Sequence, residues 1–170
     1  LESIRKAKVT PSVRWHALSF QHRTVWSQNK EARSYNTSAE CHFCYEPVAD
    51  TIHRHLRCPV AQVVWKHVAT IALEIFSVQL DLIPETVLYL HPQSNLWRHW
   101  EQFLPVLLTA KHAVYRLSLM TDLNFIPRGL VNHYLGTQFR LLLLAADTAP
   151  TTHFPWYKLD RYVQRRLGVG

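Results

Sequence analysis

Residues 41–77 read CHFCYEPVADTIHRHLRCPVAQVVWKHVATIALEIFS, and the two halves of that stretch obey different rules. From Pro59 to about Ser77, apolar residues return at three- and four-residue steps: Val60, Val63, Val64, His67, Val68, Ile71 and Ile75. That spacing predicts a helix with one apolar stripe, and Pro59 suits its first turn, where no backbone N–H is needed. The first half has little apolar material beyond Phe43, Ile52 and Leu56, yet it holds all three cysteines of the chain. They fall as Cys41-x2-Cys44-x8-His53-x4-Cys58. Two cysteines so spaced grip one ion from a tight turn, and a His and a Cys from the following turn complete a tetrahedron. The pattern predicts one structural zinc ion, with no coordination position left for a reactive water. So apolar-poor a loop cannot offset its own ordering entropy, and the metal is expected to supply the difference. A disulfide framework would leave one cysteine over, and a redox Cys-x-x-Cys calls for a βαβ setting that is missing here. The x4 spacing favours His53 as the fourth ligand; His55, in Cys44-x10-His55-x2-Cys58, and His42 are the alternatives.

On the N-terminal side, Ser12 to Trp26 reads as a helix on Val13, Ala17, Phe20 and Thr24, preceded by Pro11. Ser27 to Glu40 reads as a polar connection. On the C-terminal side, Pro84 breaks a mixed segment in which Thr86 to Leu90 fits a short strand. Asn95 is placed to cap a third helix reaching Met120, with Leu96, Trp100, Phe103, Leu107, Val114 and Leu117 on one face and Pro105 as a kink or break. Gly129 to Asp147 reads as a fourth helix and Tyr157 to Leu167 as a basic last one. The expected fold is mainly α, a helical domain with a small zinc-knuckle loop between the first two helices. Its parts are a basic helix and connection (1–40), the knuckle (41–58) and a helical domain with a basic C-terminal helix (59–170). Trp15, Trp65, Trp97 and Trp100 are expected in the core.

The chain has 170 residues, 48% apolar, with a net charge of +7. The charge sits at the ends: +5 over residues 1–35 and +3 over residues 153–170, around a near-neutral middle. Basic ends point to a polyanion, because neutralising phosphates releases condensed counterions. No run of 18 apolar residues is present, so no membrane partner is expected. Residues 1–10 lack an apolar core, so no signal peptide is expected there. The start at Leu1 suggests a fragment, an excised domain or a processed protein.

The stretch from Cys41 to Val68 resembles the zinc-binding region C-terminal to the polymerase in LINE-type, non-LTR retrotransposon reverse transcriptases. The shared features are Cys41 and Cys44, Asp50-Thr51, His53, Cys58-Pro59, Ala61 and Val64-Trp65. The preceding PSVRWHALSFQHRTVW (11–26) is similar to that family's Trp-containing helix, and RHWEQFLPVLLTAKHAVYRLSL (98–119) loosely to its downstream one. Two departures stand out: Tyr45 occupies a place commonly held by Gly, and Arg54-His55-Leu56 brings a second His to the His-Leu-Phe step. Residues 121–170 carry no resemblance.

The resemblance implies a nucleic-acid-binding partner domain of a reverse transcriptase, with RNA as the expected ligand. Arg14, Arg23, Lys30, Arg33, Arg54 and Arg57, with Arg165 and Arg166 on the last helix, are the expected phosphate contacts. No catalytic residues are expected. A polymerase Tyr-x-Asp-Asp, a phosphate-binding Gly-rich loop and a Gly-x-Ser-x-Gly elbow are all missing. The alternatives are a stand-alone subunit of a large ribonucleoprotein, such as an organellar ribosome, touching neighbouring protein subunits, or a protein-binding adaptor. An intracellular setting, nucleus or organelle, goes with all three.

Overall fold

The computed structural model describes residues 1–22, 28–35, 38–120, 126–147 and 156–168. Its helices are α1 (Glu2–Lys6), α2 (Pro11–Gln21), α3 (Gln28–Tyr35), α4 (Pro59–Phe76), α5 (Pro84–Val87), α6 (Trp100–Leu117), α7 (Arg128–Asp147) and α8 (Trp156–Tyr162). A π-helical turn, His53–Arg57, leads into α4, and another, Val163–Leu167, prolongs α8. Among the described residues there is no strand, and the fold is mainly α.

Three long helices make the core. α6 packs on α4, α7 and α2, and α8 with its extension closes the far side against α4 and α7. Of the expected stripe of α4, Val64, Val68 and Ile71 are inaccessible and Ile75 nearly so, whereas Val60, Val63 and His67 are only partly buried; Trp65, inaccessible, and Phe76, nearly so, complete the buried face. Fully burying a side chain of this size contributes about 1.5–3 kcal/mol, so the six buried ones dominate the helix's anchorage. In α6 the expected face is likewise buried at Phe103, Leu107, Val114 and Leu117. Pro105 neither breaks nor divides α6, which runs through it for 18 residues. At that place proline removes only the bond to the Glu101 carbonyl, one turn from the helix start. Among the described residues no helix is long and apolar enough to cross a membrane.

Several expectations need correction. α1 and α3 are additional helices, so the knuckle loop follows the third helix rather than the first. α1 is anchored by Ile4, with Ala7 and Val9 buried just beyond it. The expected extension of α2 to Trp26 falls on residues outside the described ones. Residues 84–87 form a helical turn in place of a strand. Asn95 does not cap a helix: its amide donates to the Gln79 carbonyl at 2.8 Å, and a 3-10 turn at Trp97–His99 starts the helical run instead. Trp65 is buried and Trp100 partly so, but Trp15 is 67% exposed and Trp97 69%. Both point away from faces already filled, by Val13, Ala17 and Phe20 on α2 and by Leu96 and Phe103 near Trp97.

Candidate metal centre

The loop before α4 brings four donors together. Cys41, Cys44, His53 and Cys58 offer ligand atoms that all lie within 4.8 Å of one another. Cys44 Sγ is 3.3 Å from His53 Nε2, and Cys41 Sγ is 3.9 Å from Cys58 Sγ. A tetrahedral ion with ~2.3 Å bonds to sulfur separates its thiolates by roughly 3.8 Å, so the donor set has the size of one metal ion.

Local bonding explains the convergence. The Tyr45 amide donates to the Cys41 carbonyl at 2.9 Å, and the Cys41 amide to the Glu46 carbonyl at 2.9 Å, which closes the turn carrying the first two cysteines. Asp50 accepts the His53 amide at 2.7 Å and so caps the helical segment that carries the histidine. Cys58 stands at the boundary between the π turn and α4, where Pro59 occupies the first turn.

The geometry also chooses between the histidines. His55, two residues after His53, points the opposite way. It is fully buried, its Nδ1 lies 3.1 Å from the Thr51 carbonyl, and its own carbonyl accepts the Trp65 indole N–H at 2.6 Å. His42 is exposed and outside the cluster.

The thiols are unequal. Cys41 is held well below the ordinary thiol value, first by its hydrogen bond with Cys58 and then by the backbone amides of Phe43 and Cys44. Cys58 is pushed up, chiefly by that same pairing and by burial. Cys44 is raised by burial. Three thiolates cannot ionise together at this range without a cation between them. A divalent ion removes the conflict, since a coordinating thiol is deprotonated outright.

Tyr45 takes a left-handed backbone conformation, φ 59°, at the place after the second cysteine. The ring is 64% exposed, so it packs little in return. For a non-glycine residue that conformation costs about 1–2 kcal/mol, part of which glycine would give back through its freer unfolded chain. Tyr45→Gly is expected to tighten metal binding by about two- to fivefold, or about 0.5–1 kcal/mol. Competition against a chromophoric chelator measures this; unchanged or weaker binding would show that the tyrosine ring contributes something the strain does not explain.

Behind the loop lies a cluster that brings together His16 and His112, histidines in helical register that read as packing or surface residues, with His55 and Lys111. His16 stacks on Tyr115 with ring centroids 4.4 Å apart, and His55 and His112 lie 6.1 and 5.6 Å from His16. Neither ring nitrogen of His16 has a hydrogen-bond partner among the described residues. Lys111 is inaccessible; its ammonium nitrogen donates to the Leu88 carbonyl at 2.7 Å and sits 3.3 Å over the Phe20 ring. Burial lowers its pKa well below the ordinary lysine value. His16 is pushed down to about 2, mainly by burial and secondarily by His55, Lys111, His112 and Arg54. His16 falls in register with Val13, Ala17 and Phe20.

The expected phosphate contacts divide. Arg54 does not face solvent; it is buried, donates through Nε to Ser118 Oγ at 2.6 Å and through Nη2 to the Ser118 carbonyl at 3.3 Å, and lies 5.6 Å from the Tyr115 ring centre. It ties the π turn to the C-terminal end of α6, where positive charge meets exposed carbonyls. Arg14 is half-buried and donates to the Ala7 carbonyl at 2.9 Å, which holds the α1–α2 connection. Arg33, Arg57, Arg165 and Arg166 are exposed. Arg23 and the side chain of Lys30 lie outside the described residues. The exposed ones are not one patch by sequence: Arg57 borders the metal loop, and Arg165 and Arg166 lie on the last helix.

Set against known protein families, curated proteins and solved structures, the chain matches none of them.

Proposed function

We propose that the protein is a non-enzymatic, zinc-stabilised module that binds nucleic acid, RNA in the first place. Zinc is the ion that fits three thiolates and one imidazole in a closed tetrahedral set. Four protein donors leave no open position for substrate or activated water, and the cavity behind the ligands, beside Cys41, Cys58 and Arg54, has only about 10 Å³, room for about one water. The metal's part is therefore structural, holding residues 41–50 to the helical arm that carries His53 and Cys58.

The observation that carries the binding half is the exposed charge. Lys158, Arg161, Arg165 and Arg166 stand exposed on one helix, and Arg57 beside the metal loop. Exposed aromatic side chains, Trp15 and Tyr157 among them, suit unpaired bases, which stack on such rings. The pattern from Cys41 to Trp65 supports a retroelement-type role in gripping template or target nucleic acid.

Two measurements test the reading. Elemental analysis is expected to give one zinc per chain. Binding to a labelled single-stranded RNA is expected to weaken with salt at a log–log slope of roughly −3.5, as about five phosphate contacts require. A metal content near zero removes the first half of the reading. RNA binding that is absent or indifferent to salt removes the second and favours a protein-binding adaptor.

A further inference from the structure

The last helix separates its residues by chemistry. Leu159, Tyr162, Val163 and Leu167 are buried against α4 and α7. Tyr162 is fixed there by its hydroxyl, 2.8 Å from His67 Nδ1. The rest of its surface presents Tyr157, Lys158, Arg161, Gln164 and Arg165, all exposed. Between this helix and the C-terminal half of α4 runs an open groove of about 450 Å³, with Lys158, Arg161 and Arg165 on one bank and Glu74 and Ile75 on the other.

The charges in and around the groove do not cancel. Glu74 is engaged by Arg166 at 3.4 Å, and Asp160 accepts from the Gln164 amide at 2.8 Å. Lys158, Arg161 and Arg165 have no acidic partner among the described residues. Along the helix the three free cations stand roughly 4.5 and 6 Å apart in rise, within reach of neighbouring phosphates on one strand. Tyr157, 62% exposed, lies one turn before Arg161 on the same face. A ring and a row of cations on one surface is the arrangement by which proteins hold single strands.

From this we infer that the groove between the last helix and α4 seats a single-stranded nucleic-acid segment. Lys158, Arg161 and Arg165 take successive phosphates, and Tyr157 stacks on an unpaired base. The inference rests on the nucleic-acid reading above and locates its surface. The helix does not have the form of a membrane-lying one, because its apolar face is spent on the core and Tyr157 is the single large apolar group facing out. Arg166 has a different part, since its contact with Glu74 holds the helix to α4.

The test uses the full chain and a fluorescein-labelled twelve-nucleotide oligouridine, read by anisotropy across a salt series. Lys158→Gln, Arg161→Gln and Arg165→Gln together are expected to make the log–log slope shallower by about 2, as three lost contacts on a single strand require. Arg98→Gln with Arg116→Gln, at exposed sites elsewhere, is expected to leave it unchanged. Tyr157→Ala is expected to weaken oligouridine binding about fivefold or more while leaving binding of inorganic polyphosphate as it was. Should the triple variant fail to fold, Arg161→Glu alone is expected to lower affinity and flatten the slope. A folded triple variant that binds like the parent overturns the groove while the nucleic-acid reading stands. So does an equal loss from the Arg98 and Arg116 pair, or an equal effect of Tyr157→Ala on polyphosphate. Parent protein that binds no RNA, but binds phosphatidylserine vesicles or an acidic peptide through these three cations, overturns both.

Discussion

Stripping the metal with a chelator is expected to release residues 41–50 and to leave residues 53–76 largely in place. The two arms of the site are held by different forces. The first arm is secured by its own short bonds, Tyr45 to Cys41, Cys41 to Glu46 and Ala49 to Ala39, all within the loop. Remove the ion and nothing but Phe43 and the buried Cys41 and Ala49 keeps it down. The second arm is bonded to the core at Arg54–Ser118 and at His55–Trp65. Structural zinc in small finger peptides is worth about 10–16 kcal/mol of apparent binding free energy near neutral pH, more than a loop of this composition can replace. Hydrogen exchange read by mass spectrometry is expected to show amides of 41–50 exchanging near the unstructured rate after chelation, with α4 still protected. Cys44→Ser is expected to give the same pattern, with most of the helical circular dichroism kept. Loss of protection throughout α4 and α6 would mean that the ion organises the whole core.

Acid is expected to destabilise the protein steeply through His16. Its folded pKa is about 2 against an ordinary value of 6.5, because burial penalises the imidazolium and His55, Lys111, His112 and Arg54 add repulsion. The unfolded chain therefore binds more protons than the folded one between those values. Stability is unaffected by this group above about pH 6.5, falls by about 1.4 kcal/mol per unit as pH drops below it, and levels off near pH 2. At pH 5 the loss from His16 alone amounts to about 2 kcal/mol. His16→Phe keeps a ring against Tyr115 and removes the titration. Metal loss in acid affects parent and variant alike, so the difference between their urea midpoints isolates His16. That difference is expected to grow in the variant's favour between pH 7.5 and pH 5. A constant difference would show that His16 is not held neutral by its burial.

The helical core and the ligand set were legible because each obeys a periodic or spacing rule. α4 repeats its apolar residues over 18 positions, and Val64, Val68, Ile71 and Ile75 of that repeat are buried. The cysteines sit at intervals that only a compact site explains. The spacing favoured His53 and left His55 open as the alternative; the placement of the two rings on the π turn puts His53 with the cysteines and His55 against Thr51. α1 and α3 were missed because five and eight residues give too little period to read, and QNKEARSY has no apolar stripe at all. Arg54 was misread for another reason. Its acceptors are a hydroxyl and a carbonyl at Ser118, which no local pattern in the chain announces, so an arginine beside the ligands looked like one more surface cation.

That tie has a consequence for the order in which the chain can assemble. The four ligands span Cys41 to Cys58, whereas Arg54 and Ser118 are 64 positions apart. At about 5–20 residues per second of synthesis, the ligands emerge roughly 3–12 s before Ser118 does. Closing the longer loop also costs about 1.2 kcal/mol more chain entropy than closing the 17-residue one. The nascent protein thus holds a complete set of metal donors while the guanidinium beside them still faces water. An ion taken up at that stage would bind a loop not yet moored, and arrival of the end of α6 is then expected to draw the loaded loop against the core.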